Sequence, residues 1–195
     1  MAFLGQNPQS ALVVIGASQG GMSALVTLLG GLAEDFPWPV VIVQHRNKDP
    51  EGDLCRFLQA RTGRKITQVL DKGPILPAMF YVAPPDYHLL IEEAHFALSL
   101  DAPVNCARPS IDVMFESAAK ARGPGVCAVV LTGASNDGAR GAACVKACGG
   151  YVIVQDPATA EARLMPDAAL AATPDAHVLP LAQISLLLNA WNRNS

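Results

Sequence analysis

Long apolar runs are missing from this chain. No stretch among its 195 residues reaches the roughly 18 consecutive apolar positions that a bilayer-spanning helix needs. Met1 to Ser10 lacks a basic segment followed by an apolar one, so no secretory leader is read and a cytoplasmic location is the expectation. Charge is scarce: Asp, Glu, Lys and Arg make up 16% of the chain and the formal net charge is −3, which leaves no broad basic field for nucleic acid. Aromatic residues are few at 6%. The five cysteines, Cys55, Cys106, Cys127, Cys144 and Cys148, are odd in number and contain no C-x-x-C. A disulfide framework is therefore not expected. Cys144 and Cys148 are spaced to share a helix face but have no further ligands at metal-site spacing, so no metal site is read. All five are expected to be small core residues.

What is present is a high content of Ala, Val and Leu arranged in short runs. Ala11–Gly16, Val40–Gln44 and Val126–Leu131 are continuous apolar stretches rich in β-branched residues, the pattern of strands buried on both faces. Ile66–Leu70 and Tyr151–Gln155 read as further strands. Met22–Leu32, Asp53–Arg61, Ile111–Ala121, Ala139–Cys148, Pro166–Ala172 and Leu181–Trp191 have helical character, with Ser110 and Asp112 marking a helix start. Between them lie short strands at Phe80–Ala83, Tyr87–Ile91 and Phe96–Leu100, the last two expected to form an antiparallel hairpin. Strands alternating with helices predict a single α/β domain over residues 1–195, Rossmann-like, with one doubly wound, mostly parallel sheet flanked by helices.

Three polar residues stand just beyond buried strands: Ser18 after the first, His45 after the second, and Asp137 after Val126–Leu131. Open α/β sheets build their sites at the carboxyl ends of strands, so these distant residues can converge. Small neighbours in Gly16-Ala17-Ser18-Gln19-Gly20-Gly21 leave the Ser18 hydroxyl open, and the helix that follows offers N–H groups to developing negative charge. A serine needs a base, which His45 can supply, and Asp137 can orient the imidazole. Taken singly, Ser18 reads as a turn or helix cap, His45 as a structural histidine and Asp137 as a turn residue. Their placement after three separate strands favours the catalytic reading. The order Ser…His…Asp differs from that of the α/β-hydrolases, whose Gly-x-Ser-x-Gly elbow is matched here only by its letters.

These residues lie in segments that resemble the catalytic domain of the chemotaxis protein-glutamate methylesterase family (CheB). The segments are Ile15–Gly21, Gln44-His45, Ala83-Pro84-Pro85 with His88-Leu89, Arg108–Asp112 with Phe115 and Ser117, Leu131–Gly133 with Asn136–Gly138, Gln155-Asp156 and Met165-Pro166. They run in order over nearly the whole chain. The resemblance implies a serine hydrolase that removes methyl groups from glutamyl esters on chemoreceptor helices and also deamidates certain receptor glutamines. It implies no metal and no organic cofactor. By motif, Ser18 would be the nucleophile, His45 the general base and acid, and Asp137 its orienting partner. The Gly133–Ser135 loop would supply an oxyanion donor, the Ala134 N–H, and Gln19, Gly20, Ser135 and Arg108 would line the substrate pocket. Arg108, read apart from the resemblance, either meets acidic receptor residues beside the ester or is a surface or loop-anchoring arginine. Two positions depart from the family pattern: Gln19 replaces a usual Thr, and Ala134-Ser135 replaces a usual Met-Gly. About ten residues precede the first strand, too few for an N-terminal receiver domain, so the expectation is a standalone esterase or an excised domain, with a separate regulatory protein as one candidate source of control.

Two other readings exist. A dinucleotide-binding oxidoreductase would use the glycines after the first strand, but it lacks an acidic residue at the end of the second strand, where His45 stands. A catalytically altered scaffold would bind receptor and hydrolyse nothing. His88, His95 and His177 are expected to serve structure or solvent, Asp156 to tie loops together, and Arg61, Arg64 and Lys65 to form a solvated helix end.

Overall fold

The computed structural model describes residues 11–45 and 54–193. Seven strands pair in parallel: β1 (Leu12–Ala17), β2 (Val40–Gln44), β3 (Ile66–Gln68), β4 (Phe80–Val82), β7 (Val126–Val130), β8 (Tyr151–Gln155) and β9 (His177–Leu179). Their order across the sheet is β3-β4-β2-β1-β7-β8-β9. A separate antiparallel hairpin joins β5 (His88–Ile91) to β6 (Phe96–Ser99), as expected. The helices are α1 (Gly21–Gly30), α2 (Leu54–Thr62), α3 (Ile111–Arg122), α4 (Ala139–Ala147), α5 (Leu164–Ala172) and α6 (Leu181–Arg193). No helix among the described residues is long and apolar enough to cross a membrane.

The continuous apolar runs form the middle of the sheet because both faces are covered. Val13, Ile15 and Ala17 of β1 share one core with Leu25 and Leu28 of α1 and Leu188 of α6. Leu12 and Val14 point the other way, into a core with Phe115 of α3 and Ala142 of α4. Each fully buried Val, Leu or Ile contributes roughly 1.5–3 kcal/mol. The chain leaves β1 toward β2 on one side and reaches β7 on the other. The order therefore reverses at β1, the switch point where α/β sheets open a crevice.

Several expectations need correction. β9 was not expected: its three residues are exposed or half-buried on the sheet edge and show no periodicity. His177 in it stacks on Tyr151 with ring centroids 4.5 Å apart, which is a structural role. α5 starts at Leu164, two residues before the expected Pro166, because proline is tolerated within a helix's first turn. Asp53 of the second expected helix lies outside the described residues, as do Met1 to Ser10. Arg64 is not merely solvated. Its guanidinium donates to the carbonyls of Leu32 and Ala33, just past the end of α1, and lies 5.2 Å from the Phe80 ring centroid. Of the cysteines, Cys55 and Cys127 are buried as expected, but Cys144 and Cys148 are half-buried and Cys106 is exposed. Cys106 sits at φ 60 in a turn and has no core to enter.

Candidate active site

The parallel ladders continue one residue past the strand ends and fix the first two candidates. The Ser18 N–H donates to Thr132 O at 3.0 Å, and the His45 N–H donates to Ala17 O at 2.9 Å. Gln44, buried at the end of β2, adds a cross-tie. Its side-chain Nε2 donates to Ser18 O and to His45 O, both at 2.8 Å. Its Oε1 abuts Gly21, where a Cβ would stand 2.0 Å from that oxygen and 2.8 Å from the Ala17 Cβ. Gly21→Ala must therefore push Gln44 off both carbonyls. The expected result is a loss of about 1–3 kcal/mol in denaturant unfolding, together with a fall in turnover.

His45 Nε2 lies 2.8 Å from Asp137 Oδ2. An ionised carboxylate only accepts, so Nε2 carries the proton and Nδ1 is the nitrogen left with a lone pair. Asp137 is fully buried while the His45 side chain is 15% exposed. Burial pushes the Asp137 carboxyl up, but hydrogen bonds from His45, the Ile111 N–H, the Ser110 hydroxyl and the Asp112 N–H outweigh it and hold the group below its ordinary value. The Ile111 N–H donates to Oδ2 at 2.7 Å, while the Ser110 hydroxyl and Asp112 N–H donate to Oδ1 at 2.8 and 3.1 Å. Asp137 thus occupies the N-terminus of α3, where aligned peptide dipoles favour an anion.

Asp112, in the first turn of α3, does the same for α4. Its Oδ1 accepts from the N–H groups of Gly138 and Gly141 at 2.9 and 2.7 Å. Each helix start is capped by the carboxylate next to the other. Burial raises the Asp112 carboxyl above its ordinary value; the Gly141 bond opposes this and the charge of Asp137 adds to it.

Ser18, Gln19, His45, Arg108, Ala134 and Ser135 line one cavity of about 820 Å³, together with Asp86 and the 103–109 segment. No hydrogen bond joins the Ser18 hydroxyl to His45 among the described residues. Such bonds often tighten only when substrate is bound. The backbone N–H groups of Gln19 and Ala134 likewise donate to no acceptor among the described residues, so both remain available. Gly20 does not line the cavity: it is the N-cap of α1 at φ 76, with Glu161 against its Cα. Arg108 lines the wall but is partly engaged, its Nη1 donating to the carbonyls of Leu100 and Asp101 at 3.1 Å each. Ser135 accepts from the Asp137 N–H at 3.3 Å. His88 is structural, accepting from the Ser110 N–H at Nδ1 and donating from Nε2 to Ala102 O. Asp156 caps a short turn through the Ala158 N–H.

Gln44, Asn105, Ser110 and Asp112 were given no site role by sequence reasoning. The available signal was that Asp112 and Asp137 each stand at a helix start, where a carboxylate acts on free N–H groups.

Known proteins share this chain's sequence and fold. A relative from Leptospira interrogans, named for protein-glutamate methylesterase/protein-glutamine glutaminase, is 44% identical over 184 residues, covering 94% of this chain and 95% of its own length. Protein-glutamate methylesterase/protein-glutamine glutaminase 1 of Hahella chejuensis is 36% identical over 97% of this chain, which spans 55% of that protein. The crystal structure of the Thermotoga maritima CheB methylesterase catalytic domain matches with a TM-score of 0.88 at 32% identity, covering 92% of this chain and 97% of that one. The model of the CheB methylesterase family matches residues 13–188. Since that match spans the strand ends carrying Ser18, His45 and Asp137, the chain belongs to the CheB methylesterase family.

Proposed function

We propose that this chain is a serine esterase that hydrolyses glutamyl methyl esters on the cytoplasmic helices of methyl-accepting chemoreceptors, and that it deamidates receptor glutamines by the same acyl chemistry. The observation that carries the reading is the buried Asp137 holding His45 at 2.8 Å beside a cavity that Ser18 also lines.

In the proposed reaction, Ser18 Oγ attacks the ester carbonyl as its proton passes to His45 Nδ1. Asp137 steadies the imidazolium through Nε2. The negative charge on the carbonyl oxygen meets the free N–H groups of Ala134 and Gln19. Methanol leaves with the proton from His45. A water then gives a proton to His45, attacks the acyl-serine and restores the Ser18 hydroxyl, releasing the glutamate side chain. No metal or organic cofactor takes part in these steps. A cytoplasmic location follows from this substrate.

Arg108, fixed by two carbonyls, places a positive charge on the cavity wall suited to acidic residues flanking the ester. Arg108→Ala is expected to raise KM for a methylated receptor fragment several-fold more than it lowers kcat. An equal fall in kcat with KM unchanged would remove Arg108 from substrate binding.

The test of the activity is methanol release from a methylated chemoreceptor fragment, with ammonia release from the glutamine form measured alongside. A well-folded chain that releases neither, across several receptors, overturns the proposal.

A further inference from the structure

The turn Val104–Ala107 contributes to the cavity lining, its ends paired by the Val104 N–H to Ala107 O at 3.1 Å and the Ala107 N–H to Val104 O at 2.9 Å. The two residues at its tip, Asn105 and Cys106, have φ 50 and 60, the left-handed region that non-glycine residues rarely occupy. Both line the cavity that holds Ser18 and His45. From this exposed tip, the Asn105 side chain reaches inward. Its Nδ2 donates to Asp112 Oδ2 at 2.9 Å and to Asp137 Oδ1 at 3.3 Å.

We propose that Asn105 is a positioning residue: its amide ties the cavity-lining turn to the two reciprocal helix-capping carboxylates and so holds Asp137 in the orientation that His45 uses. The inference rests on the esterase reading and assigns it a further residue.

The physical need is plain. Asp112 and Asp137 are buried 1% and 0% exposed, close enough for the charge of one to raise the other. Each carboxylate has one oxygen turned toward Asn105, and a single NH2 group serves both. Two like charges sharing a buried site favour retention of a proton unless a donor stands between them. A proton on Asp137 would weaken its hold on His45 Nε2. The other charged groups around the pair are His45 at the end of β2, Glu116 on α3 and Arg140 on α4, whose Nε is 3.9 Å from Asp112 Oδ2 and which also pairs with Glu116. Asp86, Cys106 and Arg108 lie on the same cavity wall. Among these, Asn105 is the neutral donor that reaches both aspartates.

Two substitutions test this without imposing the strain that alanine would add. Asn105→Gly keeps the left-handed backbone and removes the amide. Asn105→Asp keeps the shape and replaces the donor by a third carboxylate. The pH profile of kcat/KM for methyl-ester hydrolysis is expected to keep its form but to move its acidic limb to higher pH, further in Asn105→Asp than in Asn105→Gly. At neutral pH, kcat is expected to fall about ten-fold in Asn105→Gly, the scale of a lost hydrogen bond to a charged group, with KM little changed. Carbon NMR titration of the aspartate carboxyls, which needs no turnover, should show the Asp112 and Asp137 transitions moving up together in both variants. If both carboxyl titrations and the acidic limb stay at their wild-type positions, the proposal is overturned, whatever happens to the melting temperature. Absence of hydrolysis by the wild type would instead strike the esterase reading, while the carboxyl titrations would still decide the role of Asn105.

Discussion

Ser18→Ala is expected to reduce kcat for methyl-ester hydrolysis by roughly 10⁴- to 10⁶-fold while the melting temperature stays at its wild-type value. The two halves of this result have different causes. The Ser18 hydroxyl makes no hydrogen bond among the described residues, and what fixes the residue is its backbone: the N–H bonded to Thr132 O and the carbonyl bonded to Gln44. Removing one oxygen therefore leaves the loop in place. What is lost is the atom that forms the acyl intermediate, and neither the oxyanion donors nor the cavity can replace it. Methanol release and a thermal melt on the same preparations give both readings. Substantial activity in a folded Ser18→Ala protein would move the nucleophile elsewhere.

Asp137 is the second position where a large effect is expected, and there the fold and the chemistry fail together. Asp137→Ala removes the acceptor for His45, Ser110, Ile111 and Asp112 from a fully buried site. It strips the Ile111 and Asp112 N–H groups at the start of α3 of their acceptor, leaving the Ser110 hydroxyl as the cap through the Val113 N–H, and takes away a charge whose partners stay in place. A loss of about 3–5 kcal/mol is expected in denaturant unfolding. Asp137→Asn retains the shape and is expected to keep more of the stability, yet kcat should still fall by roughly 10⁴-fold because an amide no longer dictates which nitrogen of His45 carries the proton. The stability gap between wild type and Asp137→Asn should also depend on pH. The folded Asp137 carboxyl is held below the ordinary 3.8, so its contribution is full above that value and is lost as the pH falls through the lower folded value. Unfolding curves at neutral and at strongly acidic pH should therefore show the gap closing on acidification. A gap that stays constant would mean that Asp137 contributes through packing rather than through charge.

The reciprocal capping explains why one aspartate serves both purposes. Read alone, Asp137 followed by Gly138 looks like a turn or cap residue, and the structure makes it a cap, though of α3 rather than of the α4 that follows it. The capping and the hold on His45 come from one carboxylate, with Oδ2 shared between the Ile111 N–H and the imidazole. The hydrogen bond from His45, with those from Ser110 and the N–H groups at the start of α3, outweighs burial and holds the carboxyl below its ordinary value, which is what an orienting partner for histidine needs.

The sequence alone determined the sheet and the residues at its crest. Runs such as Leu12–Ala17 and Val126–Val130 are apolar at every position, which suits strands covered on both faces, and the helical segments between them require parallel crossovers. Polar residues directly after such strands must emerge at one edge, so Ser18 and His45 could be read as neighbours before any coordinates. The tertiary structure decided what local pattern cannot encode. The sheet order fixes which strand ends adjoin, and it placed β9, too short for any period, on the edge. The Gln44 clamp on Ser18, the exchange of caps between Asp112 and Asp137 and the Asn105 bridge all join segments far apart in the chain. The cap exchange and the Asn105 bridge form because packing α3 against α4 brings two helix N-termini and one turn to the same crevice, and a carboxylate or amide in a sequence carries no mark of which distant N–H or carboxylate it will meet.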